Sequence, residues 1–414
     1  MTATVGGLVA TTTRVDAVPD VLALADVPGA VVWQGAGLRL GGVGAAVRVD
    51  LPGGLADDGD VARAQAVLAG IRADDPVGRP GTGPVALAAL PFDPAAPGSL
   101  VIPRTLWGAD AEGAWVTVVG APGDHPDPWP EPVATAAPDG FALSSPLPHD
   151  QWRALVADAV ARIRTGALDK VVLARRVDVE ANRPFPLAEV LGRLAALYPT
   201  CMLWAVDGFI GASPELLVAR RGDRVESHPL AGTVARSGDT DADDALIRGL
   251  QASTKDRAEH QLVIDLLDAA LRPLCSELEV PDTPAIVALR NVSHLATHVR
   301  GRLASRADGS LPGALELVAA LHPTPAVGGT PTKEAVAHLQ AVEGFERGRY
   351  AGPVGWLGAS GDGDLALGIR SAVVDGARAS LFAGVGVVTD SDPVAELAET
   401  QLKLQALLAA LVRP

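Results

Sequence analysis

Short apolar runs rich in β-branched residues follow one another along most of this chain, and glycine-containing turns separate them. Near the C-terminus, residues 354–358, 363–374 and 377–388 indicate a meander in which Asp362-Gly363 and Asp375-Gly376 are typical hairpin turns. Amphipathic segments interrupt these runs at several places, for example over residues 253–274. Consecutive hairpins mixed with scattered helices predict an α+β fold with large antiparallel sheets.

The first third of the chain has strand and helix patterns but no group of residues typical of catalysis. Residues 1–119 read as short strands with a helix after position 60. Residues 120–148 contain eight prolines and predict a connection without regular structure. From residue 150 onward the helix and strand patterns are stronger, and the last helix is expected to begin with Asp392 as its N-cap and Pro393 at its first position.

Charge and cysteine content exclude several classes of protein. With 34 basic and 49 acidic residues, the formal charge is 34 − 49 = −15, which argues against a nucleic-acid partner or a polybasic membrane-surface role. An anionic substrate would need a local cation. The two cysteines exclude a disulfide framework, and neither a secretory signal nor an apolar run of membrane-spanning length is found. We therefore expect a cytoplasmic protein.

Several charged residues have two interpretations. Glu396, Glu399 and Lys403 share one helical face, which is typical of a solvated glutamate–lysine pair, and Lys255 and Glu259 have the same spacing. Two glutamates from distant helices would also suit Mg²⁺, which takes one or two protein carboxylates together with water and substrate oxygens.

Lys170 and Glu215 are candidates for acid–base chemistry. Lys170 opens an apolar strand, where it is either exposed or, if partly buried, able to act as a base. Glu215 follows Pro214 between two strands and is otherwise a turn carboxylate. The pair His294 and His298 lacks the glutamate of the helical zinc-protease motif, so we do not expect zinc.

Ten sequence segments, taken in order, resemble those of the chorismate-utilising enzymes, the family of anthranilate synthase component I. The segments include KVVLARR, HPLAGT, STKDRAEH, VSHLATHVRG and ELAETQLK, and they cover residues 170–176, 209–217, 228–233, 253–260, 292–301, 321–329, 345–356, 365–372, 383–393 and 396–403. The resemblance spans residues 150–411, and the strand-rich residues 1–149 carry no comparable motif.

The resemblance implies a single structural unit over residues 1–414, with a two-sheet antiparallel β-rich core flanked by helices and the active site between the sheets. It also implies Mg²⁺ as cofactor and chorismate, a small dicarboxylate, as substrate. Glu259, Glu399 and Glu396 are the implied metal ligands. The implied substrate contacts are Gly232, Thr233, His294, Ala326, Tyr350, Arg370, Gly384, Gly386 and Lys403.

Three positions separate the members of this family. Lys170 matches the lysine of members that activate water, whereas Ala231 stands where aminodeoxychorismate synthases have a nucleophilic lysine. Ala326 occupies a position that is often threonine in members that also eliminate pyruvate. The pattern is similar to that of the isochorismate synthases, which are isomerases, with Lys170 as the implied base and Glu215 as the implied acid.

Two alternatives remain open at this point, a salicylate synthase and a non-catalytic chorismate-binding protein. An enzyme that receives ammonia from a glutaminase subunit is disfavoured by Lys170. We expect a monomer with no obligatory glutaminase partner. Isochorismate serves both menaquinone and siderophore biosynthesis, and the sequence does not choose between them.

Overall fold

The computed structural model describes residues 6–131 and 136–412, which form eight α-helices and 23 β-strands. The helices, α1 to α8 in chain order, are Asp58–Ala69, His149–Arg164, Leu187–Leu197, Thr240–Ala252, Thr254–Leu271, Ala314–Leu321, Thr332–Val342 and Pro393–Val412. The first twelve strands, β1 to β12, are Val9–Val15, Val31–Gly35, Leu38–Leu51, Arg72–Asp74, Val85–Ala89, Gly98–Asp110, Gly113–Gly120, Phe141–Ser144, Lys170–Ala181, Met202–Val206, Phe209–Ser213 and Leu216–Arg221. The remaining strands, β13 to β23, are Arg224–His228, Leu230–Ala235, Cys275–Glu279, Ala285–Ala288, Val292–Ala296, Val299–Leu303, Gly329–Thr330, Pro353–Gly358, Gly363–Leu367, Ser371–Asp375 and Arg378–Val387.

Twenty of these strands form one hydrogen-bonded sheet, and β14, β17 and β16 form a separate small sheet. The large sheet has two arms that meet where β3 pairs with β6. The first arm continues from β3 through β2, β10, β11, β22 and β23 to β9. The second arm continues from β6 through β5, β20, β21, β12, β13 and β18 to β15.

The two arms pack face to face across an aromatic core. Trp33 and Trp204 from the first arm share one buried cluster with Trp356 and Leu87 from the second arm. Nearly all of the strand pairings are antiparallel, with β1 and β4 as a parallel exception. The predicted α+β class, with a large antiparallel core in two layers and helices around it, is confirmed.

Strands from the first third of the chain pair directly with later strands. β2 pairs with β10, and β5 pairs with β20, so residues before and after position 149 share one sheet. The described residues from 121 to 140 form no helix or strand, and Trp129 packs edge-on against Trp107 at 4.9 Å between ring centroids. The division of the chain into residues 1–149 and 150–411 within one unit stays a prediction.

The turn residues near the C-terminus predict the last hairpin to within one residue, and the helix cap predicts the start of the last helix. Asp375 pairs with Arg378, so the tight turn is centred on Gly376 and Ala377, one residue later than predicted. Gly376 has a φ of +56°, which glycine adopts at little cost. Asp392 caps α8 as predicted, because its Oδ1 accepts hydrogen bonds from the backbone N–H groups of Val394 and Ala395. In the described residues, no helix is both long and apolar enough to cross a membrane.

A buried ion pair ties α7 to the large sheet. Arg347 Nε donates to Glu343 Oε2 at 2.8 Å, and Arg347 Nη2 donates to Glu343 Oε1 at 2.5 Å. Glu343 Oε1 also accepts a hydrogen bond from the backbone N–H of Ala174 on β9. Both side chains are almost fully buried, at 4% and 2% exposure, so neither charge has water to replace its partner.

Replacing Glu343 with alanine should lower the free energy of unfolding by about 3–5 kcal/mol, because Arg347 would remain buried without its counter-charge. Urea denaturation followed by tryptophan fluorescence measures this loss. The exposed pair Asp158 and Arg162 has the same sequence spacing and an N–O distance of 2.8 Å, so Asp158→Ala is a matched control with an expected change of about 0.5 kcal/mol or less. Equal losses in the two variants would contradict the interpretation.

Candidate active site

One cavity collects nearly all of the predicted site residues. It lies between β9 and β23 of the large sheet and β14 and β17 of the small sheet, and α5 and α8 supply most of its charged residues. Every predicted residue except Lys170 lines this cavity: Glu215, Gly232, Thr233, Glu259, His294, Ala326, Tyr350, Arg370, Gly384, Gly386, Glu396, Glu399 and Lys403. Residues predicted from widely separated segments of the sequence therefore lie around one cavity.

The small sheet holds a histidine in a fixed orientation. Thr233 lies opposite His294 in the β14–β17 ladder, and the register shifts between Ala231 and Thr233. The residue at this bulge is Gly232, whose φ of +66° is unfavourable for residues with a side chain. The Gly232 carbonyl oxygen lies 3.1 Å from His294 Nδ1, and Thr233 Oγ1 lies 3.2 Å from the same nitrogen.

Arg370 completes this arrangement and determines the histidine tautomer. Its Nη2 lies 3.3 Å from His294 Nε2 and can only donate, so Nε2 accepts and Nδ1 carries the proton that is donated to the Gly232 carbonyl. Burial, with the positive charges of Arg370 and Lys403, lowers the pKa of His294 to about 3. The imidazole is therefore neutral, and Arg370 keeps donors for an anionic ligand.

Arg370 is itself buried and conformationally constrained. Its backbone φ of +53° lies in the left-handed region, which is uncommon for a residue with a long side chain. Burial lowers the pKa of Arg370. A buried guanidinium that lines a cavity can hold a carboxylate through two parallel hydrogen bonds.

Lys170 lies beside the cavity, against Glu259. Its side chain is 0% exposed, and Nζ lies 2.9 Å from Glu259 Oε1. The direction of this contact does not meet hydrogen-bond geometry, and Lys170 Nζ has no hydrogen-bond partner among the described residues. Gly386 makes the approach possible, since a Cβ atom there would lie 2.1 Å from Glu259 Oε1 and 3.0 Å from Lys170 Cε.

Glu215 is a buried carboxyl group in the same cavity. It sits where the chain passes from β11 to β12, and its side chain accepts a 3.4 Å hydrogen bond from the backbone N–H of Leu230. Burial raises the pKa of Glu215 to about 7, although that hydrogen bond and the charges of Lys170, Lys403 and Arg370 act in the opposite direction. A carboxyl group with this pKa can carry a proton near neutral pH.

The glutamates of α5 and α8 each pair with a lysine. Besides the pair of Glu259 with Lys170, Glu396 lies 3.0 Å from Lys255 Nζ, and Glu399 lies 2.7 Å from Lys403 Nζ. Lys403 Nζ also donates to the Gly384 carbonyl oxygen on β23 at 2.9 Å. Glu399 and Lys403 therefore form the pair that their spacing predicts, but this pair lines a cavity. Lys255 instead pairs with Glu396 of α8, and Glu259 pairs with Lys170.

This acidic group has a donor set that fits a hard divalent cation. Burial and the nearby carboxylate of Glu399 raise the pKa of Glu396, and burial with the charge of Glu259 raises the pKa of Asp256. The carboxylates therefore lie close enough to repel one another. The described residues contain no ready-made cluster of three or more metal-binding side chains, but Mg²⁺ commonly takes only one or two protein carboxylates.

Aromatic residues close the other side of the cavity. Tyr350 stacks on Phe382 with ring centroids 5.0 Å apart, and burial raises the pKa of the Tyr350 hydroxyl to about 12. The hydroxyl lies near Gly384, and Ala326 lines the same region from the loop that precedes β19. Tyr350 therefore keeps its phenolic proton and can donate a hydrogen bond.

Sequence reasoning did not assign Lys255, Asp256, Leu230 and Phe382 to the site, although all four line the cavity. Lys255 and Asp256 belong to the STKDRAEH segment, and their distance of one helical turn from Glu259 is the signal that could have found them. His298 is separate from His294, since it pairs with Glu226 at 3.1 Å.

The chain is similar in sequence and in fold to several known proteins. The chain is 44% identical over 287 residues to a salicylate biosynthesis isochorismate synthase of Pseudomonas aeruginosa, a match that covers 68% of this chain and 58% of that protein. It is 40% identical over 277 residues to the isochorismate synthase DhbC of Bacillus subtilis, covering 64% of this chain and 68% of that protein. The solved structure of the menaquinone-specific isochorismate synthase MenF of Escherichia coli superposes with a TM-score of 0.81 at 25% identity, covering 98% of this chain and 95% of that one.

Residues 132–412, more than half of the chain, match the family described as chorismate binding enzyme. This range contains every residue of the cavity described above. The protein therefore belongs to the chorismate binding enzyme family, as its sequence segments predicted.

Proposed function

We propose that this protein is an isochorismate synthase, which converts chorismate into isochorismate by adding water at C2 and releasing the C4 hydroxyl group. The observation that carries the proposal is Glu215, a buried acid with a pKa of about 7 in a cavity whose cationic side chains include Arg370 and Lys403. The relative named for salicylate biosynthesis, the menaquinone-specific MenF and DhbC all carry the isochorismate synthase name, which supports the same reaction here.

Binding of a dicarboxylate fits the charges of the cavity. Arg370 offers a planar set of donors for one carboxylate, and neutral His294 holds the guanidinium in place. Tyr350, with its proton retained, adds a neutral donor on the aromatic side. A chain with a formal charge of −15 can in this way present a local cationic surface to an anionic substrate.

Glu259 and Glu399 would hold Mg²⁺, with Glu396 beside them, and the ion would supply positive charge for a substrate carboxylate when bound. The acidic side chains that would hold the ion must also be stable beside one another in the protein. The lysines that pair with these glutamates offset their negative charge, and this keeps the three carboxylates compatible in one small cavity.

Acid–base chemistry is divided between two residues. Lys170, in its neutral form, accepts a proton from the water molecule that attacks C2. Glu215 donates its proton to the departing C4 hydroxyl group, which leaves as water, and the ring double bonds shift. One water molecule enters and one leaves, so the net reaction is an isomerisation.

Two positions favour this reaction over those of similar enzymes. Ala231 lines the cavity, so no lysine nucleophile is available at that position. Ala326 also lines the cavity and has no hydroxyl group to assist pyruvate elimination, in contrast to a salicylate synthase. A monomeric state, independence from a glutaminase subunit and a cytoplasmic location stay predictions.

Incubation of the protein with chorismate and Mg²⁺ should give isochorismate, without salicylate and, in the presence of ammonium, without anthranilate. Chromatography that resolves the three products checks this expectation, and EDTA should abolish turnover until Mg²⁺ is restored in excess. Salicylate as the main product would favour the salicylate synthase. No product under any condition would favour a non-catalytic binding protein.

Lys170→Ala and Glu215→Gln should each lower kcat by roughly 100-fold or more, because each removes one partner of the proton transfer. Matched controls are Lys333→Ala and Glu334→Gln, which change exposed residues on α7 outside the cavity. Circular dichroism establishes that the variants are folded. Activity close to that of the controls in both site variants would show that the roles are assigned wrongly.

The pH profile of kcat/KM, which reports groups of the free enzyme, should have a descending limb with an apparent pKa near 7, because Glu215 must be protonated to act as an acid. Above this pH, activity should fall about tenfold per pH unit. The residual activity of Glu215→Gln should lack the limb, since the amide does not titrate. A limb at the same pH in the variant would assign it to another group.

A further inference from the structure

We propose that Arg347 is a positioning residue for substrate binding, which fixes the loop of residues 322–328 against β9. The inference rests on the proposed function for its substrate, chorismate. Arg347 does not line the cavity, so it acts through the residues that do.

The guanidinium of Arg347 joins the loop and the strand directly. Its Nη1 donates to the Val327 carbonyl oxygen at 2.7 Å, and its Nη2 donates to the Val172 carbonyl oxygen at 2.6 Å. Val327 and Val172 both line the cavity, from the loop and from β9 respectively. Glu343 holds the guanidinium through two further hydrogen bonds, so its plane is fixed on both edges.

The loop depends on this contact more than the strand does. β9 is held by ten consecutive pairs with β23, so its position is fixed without Arg347. The loop belongs to no ladder, and the bonds from Val327 N–H and Gly328 N–H return to the Thr324 carbonyl within the loop itself. Besides Arg347, the hydrogen bond from Val172 N–H to the Gly328 carbonyl oxygen at 2.8 Å joins the loop to β9. The loop then continues into β19, which pairs with β9, so Arg347 holds the part of the loop that precedes this pairing.

Arg347 also contacts two aromatic rings around the site. Its guanidinium carbon lies 4.3 Å from the centroid of Phe92 and 5.7 Å from that of Tyr350. Arg347 therefore contacts Val327, which adjoins Ala326, and the ring of Tyr350, which carries the hydroxyl group. Ala326 and this hydroxyl group are two of the implied substrate contacts. The contacts of Arg347 reach the substrate-binding side of the cavity rather than Glu215.

Arg347→Lys tests the proposal, because lysine keeps the charge but cannot reproduce the planar set of donors. We expect KM for chorismate to rise at least about fivefold while kcat stays within about threefold of wild type, since Lys170 and Glu215 keep their places. Amide hydrogen exchange of residues 322–328 should become faster in the variant, and exchange in β9 should not. Glu343→Gln, which keeps the side-chain shape, should give the same changes to a smaller degree.

Asp158→Ala, which breaks an exposed pair of the same spacing, should change neither KM nor exchange in the loop. A purely structural role would reduce the amount of active enzyme, so a lower kcat at unchanged KM with unchanged loop exchange would overturn the proposal. If the wild type converts no chorismate, the proposed function fails by itself. The exchange comparison then still decides whether Arg347 fixes the loop.

Discussion

The ladder between β9 and β23 is the constraint on which the site depends. Ten consecutive residue pairs, from Glu180 with Arg378 to Val171 with Val387, align the two strands. Lys170 is the first residue of β9. Gly384 and Gly386 of β23 pair with residues that follow Lys170 in β9. A slip of one residue would turn these positions to the opposite face of the sheet. The register of this ladder therefore decides whether Lys170 and Gly386 lie next to Glu259.

Charge balance in the cavity is the second constraint. Three glutamates and three lysines line it or lie beside it in pairs, and each pair joins different parts of the chain or successive turns of α8. Buried charges are tolerated when they are paired, and these pairs keep the acidic side chains in place near a guanidinium that is free to bind an anion. The negative charge of the whole chain thus says little about the charge that the substrate meets.

Much of this arrangement is accessible from the sequence, for identifiable reasons. Period-two runs and turn residues predict the strands, and the Asp392 cap predicts the start of α8, because both are local signals. The order of the family-like segments brought together residues as distant as Glu215 and Lys403. The position of the Asp375 turn was wrong by one residue, since cross-strand pairing rather than the Asp-Gly signal decides which residues are central. Lys255 and Asp256 were not assigned because only the approach of α8 to α5 turns an ordinary helix surface into a cavity wall.

The placement of the tryptophans has a spectroscopic consequence. Trp33, Trp115, Trp152, Trp204 and Trp356 are almost completely buried, and no tryptophan in the described residues lines the cavity. Indole emission will therefore report loss of the packed arms on denaturation and will be a poor reporter of ligand entry. An optical titration of the site needs a chromophore in the ligand or a probe attached near α5.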